Sequence, residues 1–260
     1  MPELPEIERY RTAAEAVLWR PIVRVDSPDD WFLKGGTTGA ALEAALLGRT
    51  FVSARRIGKL LLLDVDGGPT VGVRFGMTGT LVVDGDAAID HLRYAPAGGN
   101  AAWDRWSVGL EGGGAMVVRD PRRLGGVTLD PDASRLGPDA LTISVPELAA
   151  ALTGSTTALK ARLLDQSRVA GIGNLIVDEV LWRAGLSPLR PAGSLTAAEV
   201  RRLHRHLGST LGQLIERGGS HLGDLVDERH RDGRCPRDGA ALTRSVVGGR
   251  TTWWCPRHQR

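Results

Sequence analysis

The chain has 260 residues, of which 42% are apolar and 24% charged, close to the average of soluble globular proteins. This composition excludes wholesale disorder, and the length favours two modest domains. No run of about 18 apolar residues occurs and the N-terminus is acidic, so we expect neither a membrane span nor a signal peptide. Only Cys235 and Cys255 are present, which excludes a disulfide scaffold and leaves buried thiols or half of a metal site. We expect a cytoplasmic protein.

Positive charge is concentrated near the C-terminus. Residues 201–260 hold 12 arginines and 6 acidic residues, whereas residues 1–200 hold 21 basic and 24 acidic residues. A basic C-terminal part is the expected footprint of a polyanion partner, although a solvated basic face would give the same distribution. Lysine occurs only at Lys34, Lys59 and Lys160, which makes each of these positions more informative.

The first half of the chain is predicted to consist mainly of strands. Residues 7–18 can form a short helix that Pro21 would end. Short apolar or alternating runs follow, separated by clusters of Gly, Pro and Asp, a pattern typical of a β-sandwich or barrel. The predicted strands are residues 57–65, 70–75, 79–83, 106–110 and 115–119.

The second half is predicted to be mainly helical. Residues 136–140 have the composition of an interdomain connection, and helical spacing follows at 145–152, 157–165, 175–184 and 196–216. Thr196 with Glu199 three residues later predicts a capping box at the start of the last helix. Residues 241–254 predict a β-hairpin that turns at Gly248-Gly249.

Pro2 is the first candidate for chemistry. Removal of Met1 would leave a secondary amine at the N-terminus, with Glu3 and Glu6 close by in the sequence. An α-amino group has a pKa of about 7.7–8.0, so part of it is unprotonated and nucleophilic near neutrality. The same residues also fit an acidic helix start in which Pro2 merely permits methionine removal, and on these residues alone both interpretations stay open.

Several short motifs occur together in one order along the chain. In this order and spacing they resemble the formamidopyrimidine-DNA glycosylase and endonuclease VIII family of DNA repair enzymes. The likeness runs from the N-terminus to Arg260, and the Pro-Glu-Leu-Pro-Glu start resembles the formamidopyrimidine branch more closely. The motifs are MPELPEIERYR (1–11), RIGK (56–59), GMTG (76–79), DPRRLG (120–125), LLDQS (163–167), GIGN (171–174) and GGRTTWWCP (248–256).

The resemblance implies a bifunctional DNA glycosylase and AP lyase of base-excision repair, acting on a damaged base in duplex DNA. Pro2 would attack C1′ of the damaged nucleoside and form a Schiff base that decays by β- and δ-elimination. Glu3 would assist opening of the sugar ring, with Glu6 as a second acidic neighbour, and Lys59 would contact the phosphate next to the lesion. A non-catalytic lesion-binding paralogue and an AP lyase with weak base excision are the alternatives.

The resemblance also implies residues that contact DNA. Met77, Arg122 and Leu124 match the three side chains that fill the gap left by the flipped base, where apolar wedges offset the loss of stacking. Met77 and Leu124 could instead be core residues. Arg123, beside them, is expected to contact phosphate.

Three further residues of the second half are implied to face DNA. Asn174 stands at the turn of a motif that resembles the helix–two-turn–helix element, where a helix N-terminus favours phosphate. Lys160 matches a position that lines the lesion site. Arg250, at the hairpin tip, resembles the finger arginine that grips phosphates flanking the lesion.

The C-terminal finger departs from the family pattern. Where the family has two Cys-x2-Cys pairs 16 residues apart, this chain has Cys235-x2-Asp238 and Cys255-x2-His258 at the same spacing. Oxygen and nitrogen ligands can both bind zinc, so a structural zinc site is one interpretation. His230 is a possible substitute ligand. A finger without zinc, held by packing of Trp253 and Trp254, is the other interpretation.

Two more departures from the family pattern occur. Formamidopyrimidine enzymes carry a longer loop over flipped 8-oxoguanine, but residues 220–234 supply only 15 residues here. The substrate is therefore not assumed to be 8-oxoguanine. Arg74 stands where the family often has His, and no role is assigned to it.

The expected architecture is α+β with two domains. An N-terminal β-sandwich with flanking helices (1–135) is followed by a linker (136–150), a helix–two-turn–helix domain (151–226) and a β-hairpin finger (227–260), with or without zinc. The expected partner is double-stranded DNA containing a damaged base or abasic site. We expect a nucleoid-associated monomer with no membrane partner.

Overall fold

Two units, each with its own core, make up the chain. The computed structural model describes residues 2–89, 92 and 99–260. Chain contacts divide it into a first unit, which contains Pro2 and Glu6–Ala133, and a second unit, Glu3–Pro5 with Ser134–Arg260. The N-terminal residues are thus shared between the units, because the chain enters the second unit at Glu3 and returns to the first at Glu6.

The described part of the first unit contains two antiparallel sheets. One has the strand order β1 (Ile22–Asp26), β7 (Asp104–Leu110), β8 (Ala115–Arg119), β5 (Thr80–Val83) and β6 (Asp86–Ala87). The other has the order β2 (Phe51–Ile57), β3 (Leu60–Val65), β4 (Thr70–Arg74) and β9 (Gly126–Leu129). Helices α1 (Leu4–Ala14) and α2 (Gly39–Leu46) accompany them.

Apolar side chains from both sheets meet in one core. Leu61, Leu63 and Val73 of the second sheet share a buried cluster with Trp106 and Val118 of the first. Fully burying such a side chain contributes about 1.5–3 kcal/mol, so this cluster is what holds the sheets face to face. The arrangement is the β-sandwich that the sequence predicts.

The predicted strand 57–65 is wrong at its beginning. The structure has a hairpin in which Ile57 pairs with Leu60, and Gly58-Lys59 form the turn between β2 and β3. Gly58 has a φ of +57°, a conformation that glycine adopts without steric cost. The apolar run therefore continues through a turn, which periodicity alone does not reveal.

The second unit is helical and ends in a hairpin. Its helices are α3 (Val145–Leu152), α4 (Leu159–Leu164), α5 (Asn174–Ala184) and α6 (Ala197–Arg217), followed by β10 (Thr243–Val247) and β11 (Arg250–Trp254). The predicted capping box is confirmed: Glu199 N donates to Thr196 Oγ1 (3.3 Å) and Thr196 N to Glu199 Oε2 (2.8 Å).

Two apolar clusters stabilise the second unit. The larger one collects α3 to α6, with Leu4 from the N-terminal segment. The smaller one joins α5 to the finger through Trp182, Leu225, Trp253 and the two cysteines. No helix in the described part of the chain has the length and apolarity needed to cross a bilayer.

Candidate active site and nucleic-acid interface

Pro2 lies in a pocket of the first unit. The pocket has a volume of about 190 Å³ and is lined by Pro2, Ile7, Lys59, Arg74, Phe75, Gly76 and Leu124. Pro2 is buried, whereas Lys59 is partly exposed on its turn. Three residues singled out from the sequence thus share one pocket, and Arg74, which had no assigned role, lines it too. The expected removal of Met1 concerns a residue outside the described range.

Arg56 holds the turn that carries Lys59 in place. This buried guanidinium donates to Gly58 O (3.0 Å) and to Glu8 Oε2 of α1 (2.8 Å). Burial alone would raise the pKa of Glu8, but hydrogen bonds from Arg56 and Arg11 outweigh it and lower that pKa. In the RIGK motif, then, the arginine anchors the turn, the glycine forms it and the lysine is presented to the pocket.

Glu6 is a buried carboxyl on α1. One turn further on, Tyr10 donates its hydroxyl to Gly79 O (3.1 Å), and its ring lies 4.5 Å from that of Phe75. Burial raises the pKa of Tyr10 well above its usual value, and the charge of Glu6 adds to the shift. Helix α1 is thereby joined to the GMTG loop whose Gly76 lines the Pro2 pocket.

Glu3 belongs to the second unit, where its carboxylate lies at the N-terminus of α5. Leu175 N donates to Oε1 (2.9 Å) and Ile176 N to Oε2 (3.1 Å). Glu3 acts as the cap of this helix, because the N-cap residue Gly173 has no side chain to do so. A Cβ on Gly173 would lie 2.1 Å from Glu3 Cδ. A side chain at the second glycine of the GIGN motif would therefore displace the Glu3 carboxyl group from the start of α5.

One carboxylate organises the DPRRLG loop. Asp120 is fully buried and accepts four hydrogen bonds: from Thr78 Oγ1 (2.6 Å) and from the backbone N–H groups of Arg122 (3.1 Å), Leu124 (2.8 Å) and Gly125 (2.9 Å). Because Thr78 belongs to the GMTG loop, Asp120 joins the two loops that carry the candidate wedge residues. Sequence reasoning assigned no role to Asp120 or Thr78; an Asp directly before this turn was the available signal.

The candidate wedge residues stand outside the core. Leu124 is 52% exposed, Arg122 is exposed and Met77 is half-buried. Neither Met77 nor Leu124 is part of the apolar cluster formed by the described residues of the first unit. A Cβ on Gly76 (φ +58°) would lie 2.5 Å from Leu124 C, so only glycine lets the two loops touch. These positions fit side chains aimed at a partner better than core residues.

The guanidinium of Arg123 is paired with a carboxylate of the first unit. Its Nε and Nη2 each lie 2.6 Å from an oxygen of Asp29, a bidentate pair, and Arg105 Nη1 lies 3.6 Å from the same carboxylate. The Arg123 hydrogen bonds lower the pKa of Asp29. A phosphate contact by Arg123, which the sequence led us to expect, would have to compete with this pair.

Lys160, which the resemblance assigns to a position that lines the lesion site, lies in the second unit beside the finger strand. Its side chain is fully buried in the second unit, where Nζ donates to Asp178 Oδ1 (2.7 Å) and to Thr251 O (3.2 Å). Burial lowers the pKa of this ammonium, although Asp178 opposes the shift. Asn174, the first residue of α5, donates from Nδ2 to the same Thr251 carbonyl (3.2 Å). Lys160 therefore contacts the finger strand and helix α5.

Arg250 is exposed at the tip of the finger hairpin. Val247 pairs with Arg250, and the two residues between them, Gly248 (φ +58°) and Gly249 (φ +70°), form the tight turn that the sequence predicts. Two consecutive positive φ angles require glycine or a similarly permissive residue. The hairpin thus presents one arginine at its end.

The four candidate metal ligands form one group. Their ligand atoms all lie within 4.8 Å of one another. Cys235 Sγ lies 3.6 Å from His258 Nδ1, Cys255 Sγ lies 3.5 Å from Asp238 Oδ2, and His258 Nδ1 lies 3.1 Å from Asp238 Oδ2. Tetrahedral zinc, with bonds of about 2.0–2.3 Å, separates neighbouring ligand atoms by about 3.3–3.7 Å. The group could therefore hold a metal ion.

Surrounding contacts support the same group. Trp182 Nε1 donates to Cys235 Sγ (3.3 Å), and Trp182 O lies 3.2 Å from His258 Nε2, which leaves Nδ1 for a metal. A backbone hydrogen bond from Ala240, and after it a side-chain hydrogen bond with His258, lower the pKa of Asp238 to about 2. This carboxylate is therefore charged at neutral pH. Burial raises the pKa of the Cys255 thiol, which a bound cation would offset. His230 lies outside the group.

The segment after α6 is anchored to helix α5. Glu179 accepts the N–H groups of Asp224 (3.2 Å) and Leu225 (2.9 Å), and the side chain of Leu225 is buried. Arg229 forms an ion pair with Asp178. The short segment 220–234 therefore packs on the helical unit along much of its length.

Comparison with known domain families gives two matches. The Formamidopyrimidine-DNA glycosylase N-terminal domain matches residues 1–127, and the Formamidopyrimidine-DNA glycosylase H2TH domain matches residues 136–225. The second match contains the GIGN turn and helices α3 to α6.

Individual relatives match over the whole chain. The formamidopyrimidine-DNA glycosylase of Cereibacter sphaeroides is 36% identical, with 100% of both chains covered. That of Arabidopsis thaliana is 34% identical and covers 100% of this chain and 71% of its own length.

Solved structures show the same fold. A complex of the Lactococcus lactis enzyme with DNA containing Fapy-dG superposes with a TM-score of 0.82 at 25% identity, covering 99% of this chain and 100% of that chain. A complex of that enzyme with abasic-site DNA gives the same TM-score and identity, with 99% of both chains covered. The predicted α+β class is confirmed. The chain belongs to the formamidopyrimidine-DNA glycosylase family.

Proposed function

We propose that this chain is a base-excision repair enzyme, a bifunctional DNA glycosylase and AP lyase that uses the amine of Pro2. The observation that carries the proposal is the pocket in which Pro2 lies with Lys59 and Arg74. Binding of DNA alone does not require an N-terminal amine with acidic neighbours, so the combination of Pro2, Glu3, Glu6 and Lys59 supports catalysis. Its relatives are named as glycosylases, and the solved structures it resembles hold DNA with Fapy-dG or an abasic site.

In this mechanism the Pro2 nitrogen, freed by removal of Met1, is the nucleophile. Two cationic side chains, those of Lys59 and Arg74, line the same pocket. The nitrogen lone pair forms a bond to C1′ while the bond from C1′ to the damaged base breaks, and the base leaves with the bonding electron pair and takes a proton from water. Opening of the sugar ring then gives the iminium, from which β- and δ-elimination release the two phosphate ends.

Glu3 is proposed as the proton carrier. Two N–H groups at the start of α5 donate to its carboxylate oxygens and hold the side chain in place. Glu3 would accept the proton that the Pro2 amine loses on attack and pass it to the ring oxygen as the sugar opens. Glu6 is a buried acidic neighbour on α1, placed to influence Tyr10 and the GMTG loop.

DNA contacts are proposed for residues of both units. Met77, Arg122 and Leu124 stand on loops that Asp120 joins, and they would fill the space left by an extruded base. Lys59, Asn174 and Arg250 would contact phosphates, as exposed cations and a helix N-terminus do.

We propose that zinc occupies the group of Cys235, Asp238, Cys255 and His258. The spacing of the ligand atoms and the hydrogen bonds from Trp182 support this assignment. A bound zinc ion would supply structural stability to the finger. Metal content of the purified protein, measured by mass spectrometry after dialysis, tests the assignment: one equivalent of zinc is expected, and none would refute it.

The domain organisation that we propose follows the same assignment. Residues 1–135 form the catalytic sandwich, 136–150 the linker, 151–226 the helix–two-turn–helix domain and 227–260 the finger. The matched domain families cover residues 1–127 and 136–225, so the boundary between them lies next to the beginning of the proposed linker.

An AP lyase with weak base excision is a second candidate. It is favoured by the short segment 220–234, which is anchored through Leu225 and Arg229 and leaves little chain to cover an extruded base. A non-catalytic lesion-binding protein is disfavoured by the combination of Pro2 and Lys59 in one pocket.

Borohydride trapping tests the proposal. Purified protein, with its N-terminus checked by mass, is incubated with duplexes bearing an abasic site, 8-oxoguanine, formamidopyrimidine, dihydrouracil or a bulky alkylated purine. We expect a covalent adduct with the abasic duplex and with at least one damaged base, and no adduct from protein that retains Met1. Adduct on the abasic duplex alone would favour the lyase, and DNA binding without any adduct would refute the enzymatic function.

A further inference from the structure

The finger strand and helix α5 of the second unit are joined by a buried charged cluster that the mechanism above does not use. Lys160 of α4, Asp178 of α5 and Arg229 of the segment after α6 form it. The Lys160 and Asp178 side chains are at most 1% exposed and that of Arg229 is 7% exposed. Three separate segments thus meet at one carboxylate.

The cluster also holds the backbone of strand β11. Asp178 Oδ2 accepts the N–H of Trp253 (3.3 Å), and Lys160 Nζ donates to Thr251 O (3.2 Å). Both contacts lie within three residues of Arg250 on the same strand. The strand that carries the finger arginine is therefore fixed by side chains of α4 and α5.

The same carbonyl links this strand to the beginning of α5. Thr251 O accepts a hydrogen bond from Asn174 Nδ2 (3.2 Å) as well as from Lys160. Asn174 and Asp178 are four residues apart, so they stand one above the other on the same face of the helix. Asn174, at one end of this face, is consequently bonded to the backbone of the residue that directly follows Arg250.

We infer that the Lys160–Asp178–Arg229 cluster is a positioning device that holds Arg250 at a fixed distance from Asn174, so that both engage the DNA backbone together. This inference rests on the proposed function. None of the three residues belongs to the metal-ligand group. Lys160 acts through its contacts with Thr251 and Asp178.

Helix α5 offers a matched control. Glu179 directly follows Asp178, is equally buried, and anchors the segment after α6 through Asp224 N and Leu225 N and pairs with Arg183. None of these contacts involves strand β11. Asp178→Asn and Glu179→Gln are both isosteric, and both weaken a buried ion pair in the same helix.

The experiment measures coupling to Arg250. Affinity for a duplex with a stable abasic-site analogue is measured for Arg250→Ala in the parent, the Asp178→Asn and the Glu179→Gln backgrounds, with folding checked by circular dichroism. We expect Arg250→Ala to lower affinity on the order of tenfold in the parent and in Glu179→Gln, but less than about twofold in Asp178→Asn. The slope of log affinity against log salt should fall by about one in Asp178→Asn and stay unchanged in Glu179→Gln.

Other outcomes overturn the inference. If Arg250→Ala costs the same in all three backgrounds, or if Glu179→Gln removes the effect as fully as Asp178→Asn, the cluster serves stability alone. Should Asp178→Asn not fold, Lys160→Met, which leaves the Asp178–Arg229 pair in place, is measured in the same cycle against the same expectation. A parent protein that does not bind the abasic duplex would refute the proposed function together with this inference, whereas binding with additive effects would refute the inference alone.

Discussion

The two units present exposed side chains on glycine-containing turns, but they fix these turns by different means. In the first unit one buried carboxylate, Asp120, accepts four hydrogen bonds and joins the loops of Met77 and Leu124. In the second unit the finger below Arg250 combines two thiols, a carboxylate and an imidazole whose ligand atoms can surround one ion.

The difference lies in what each arrangement requires. Hydrogen bonds to a carboxylate form on folding and need no ligand, yet all four depend on a single side chain. A metal group divides the task among four side chains, but it is complete only when the thiols have lost their protons and the ion is bound. The first turn should therefore be sensitive to one substitution, and the second to metal supply.

Replacing the single carboxylate should have the largest effect. Asp120→Ala leaves Thr78 Oγ1 and three backbone N–H groups without their acceptor, and we expect the free energy of unfolding of the first unit to fall by about 4 kcal/mol. Denaturant unfolding followed by tryptophan fluorescence measures this change. Asp26→Ala, which removes an exposed pair with Arg24 and one hydrogen bond from Ser107, is the control and should change stability by about 1 kcal/mol at most. Equal effects of the two substitutions would contradict the role given to Asp120.

Metal removal should have the next largest effect and should be confined to the second unit. Binding of zinc at a free concentration one hundred times its Kd stabilises the folded state by about 2.7 kcal/mol, which a chelator would remove. Calorimetry with and without chelator is expected to shift only the transition of the helical unit. A shift in the transition that Asp120→Ala also lowers would show that the two regions are not independent.

A better ligand should tighten the metal group. Asp238→Cys restores a thiolate at the position of a carboxylate, and thiolate suits zinc better than oxygen does in structural sites. We expect zinc affinity, measured by competition with a chromophoric chelator, to rise about tenfold. Asp232→Cys, on the same segment but outside the metal group, is the control. Unchanged affinity in Asp238→Cys would indicate that residue 238 is not a ligand.

The smallest effect is expected at the Arg123–Asp29 pair beside the first turn. Hydrogen bonds from Arg123 lower the pKa of Asp29 in the folded state, so the pair stabilises the protein above the unfolded pKa of about 3.9 and loses this contribution as the pH falls through the folded pKa. Asp29→Asn should lower stability at pH 7 by about 1 kcal/mol and flatten its decline below pH 4. Parallel stability curves for parent and variant in acid would disprove this.

Elements that depend on neighbouring residues could be predicted from the sequence, whereas contacts between distant segments could not. The capping box at Thr196 and the turn at Gly248-Gly249 follow from local rules and are present. Helix α2 was not predicted, since its eight residues are too short to show a clear period.

The candidate site shows the same limit. The N-terminal sequence singled out Pro2 and the family resemblance singled out Lys59, and the structure places both in one pocket. The burial of Lys160 depends on Asp178 and Thr251, which are 18 and 91 residues away, and the role of Asp120 depends on Thr78, 42 residues away. Contacts between residues so far apart in the sequence leave no local sequence pattern, so they could not be predicted.

The close approach of Glu3 to Gly173 has a consequence for mutational scanning. Any side chain at residue 173 would overlap the Glu3 carboxyl group, so every substitution there should score like loss of Glu3 itself. Position 173 would then be read as an active-site residue although it has no reactive atom. Substitutions at residue 173 should be tolerated only in variants in which Glu3 is also replaced by a shorter residue. Residues 3 and 173 are therefore expected to vary together.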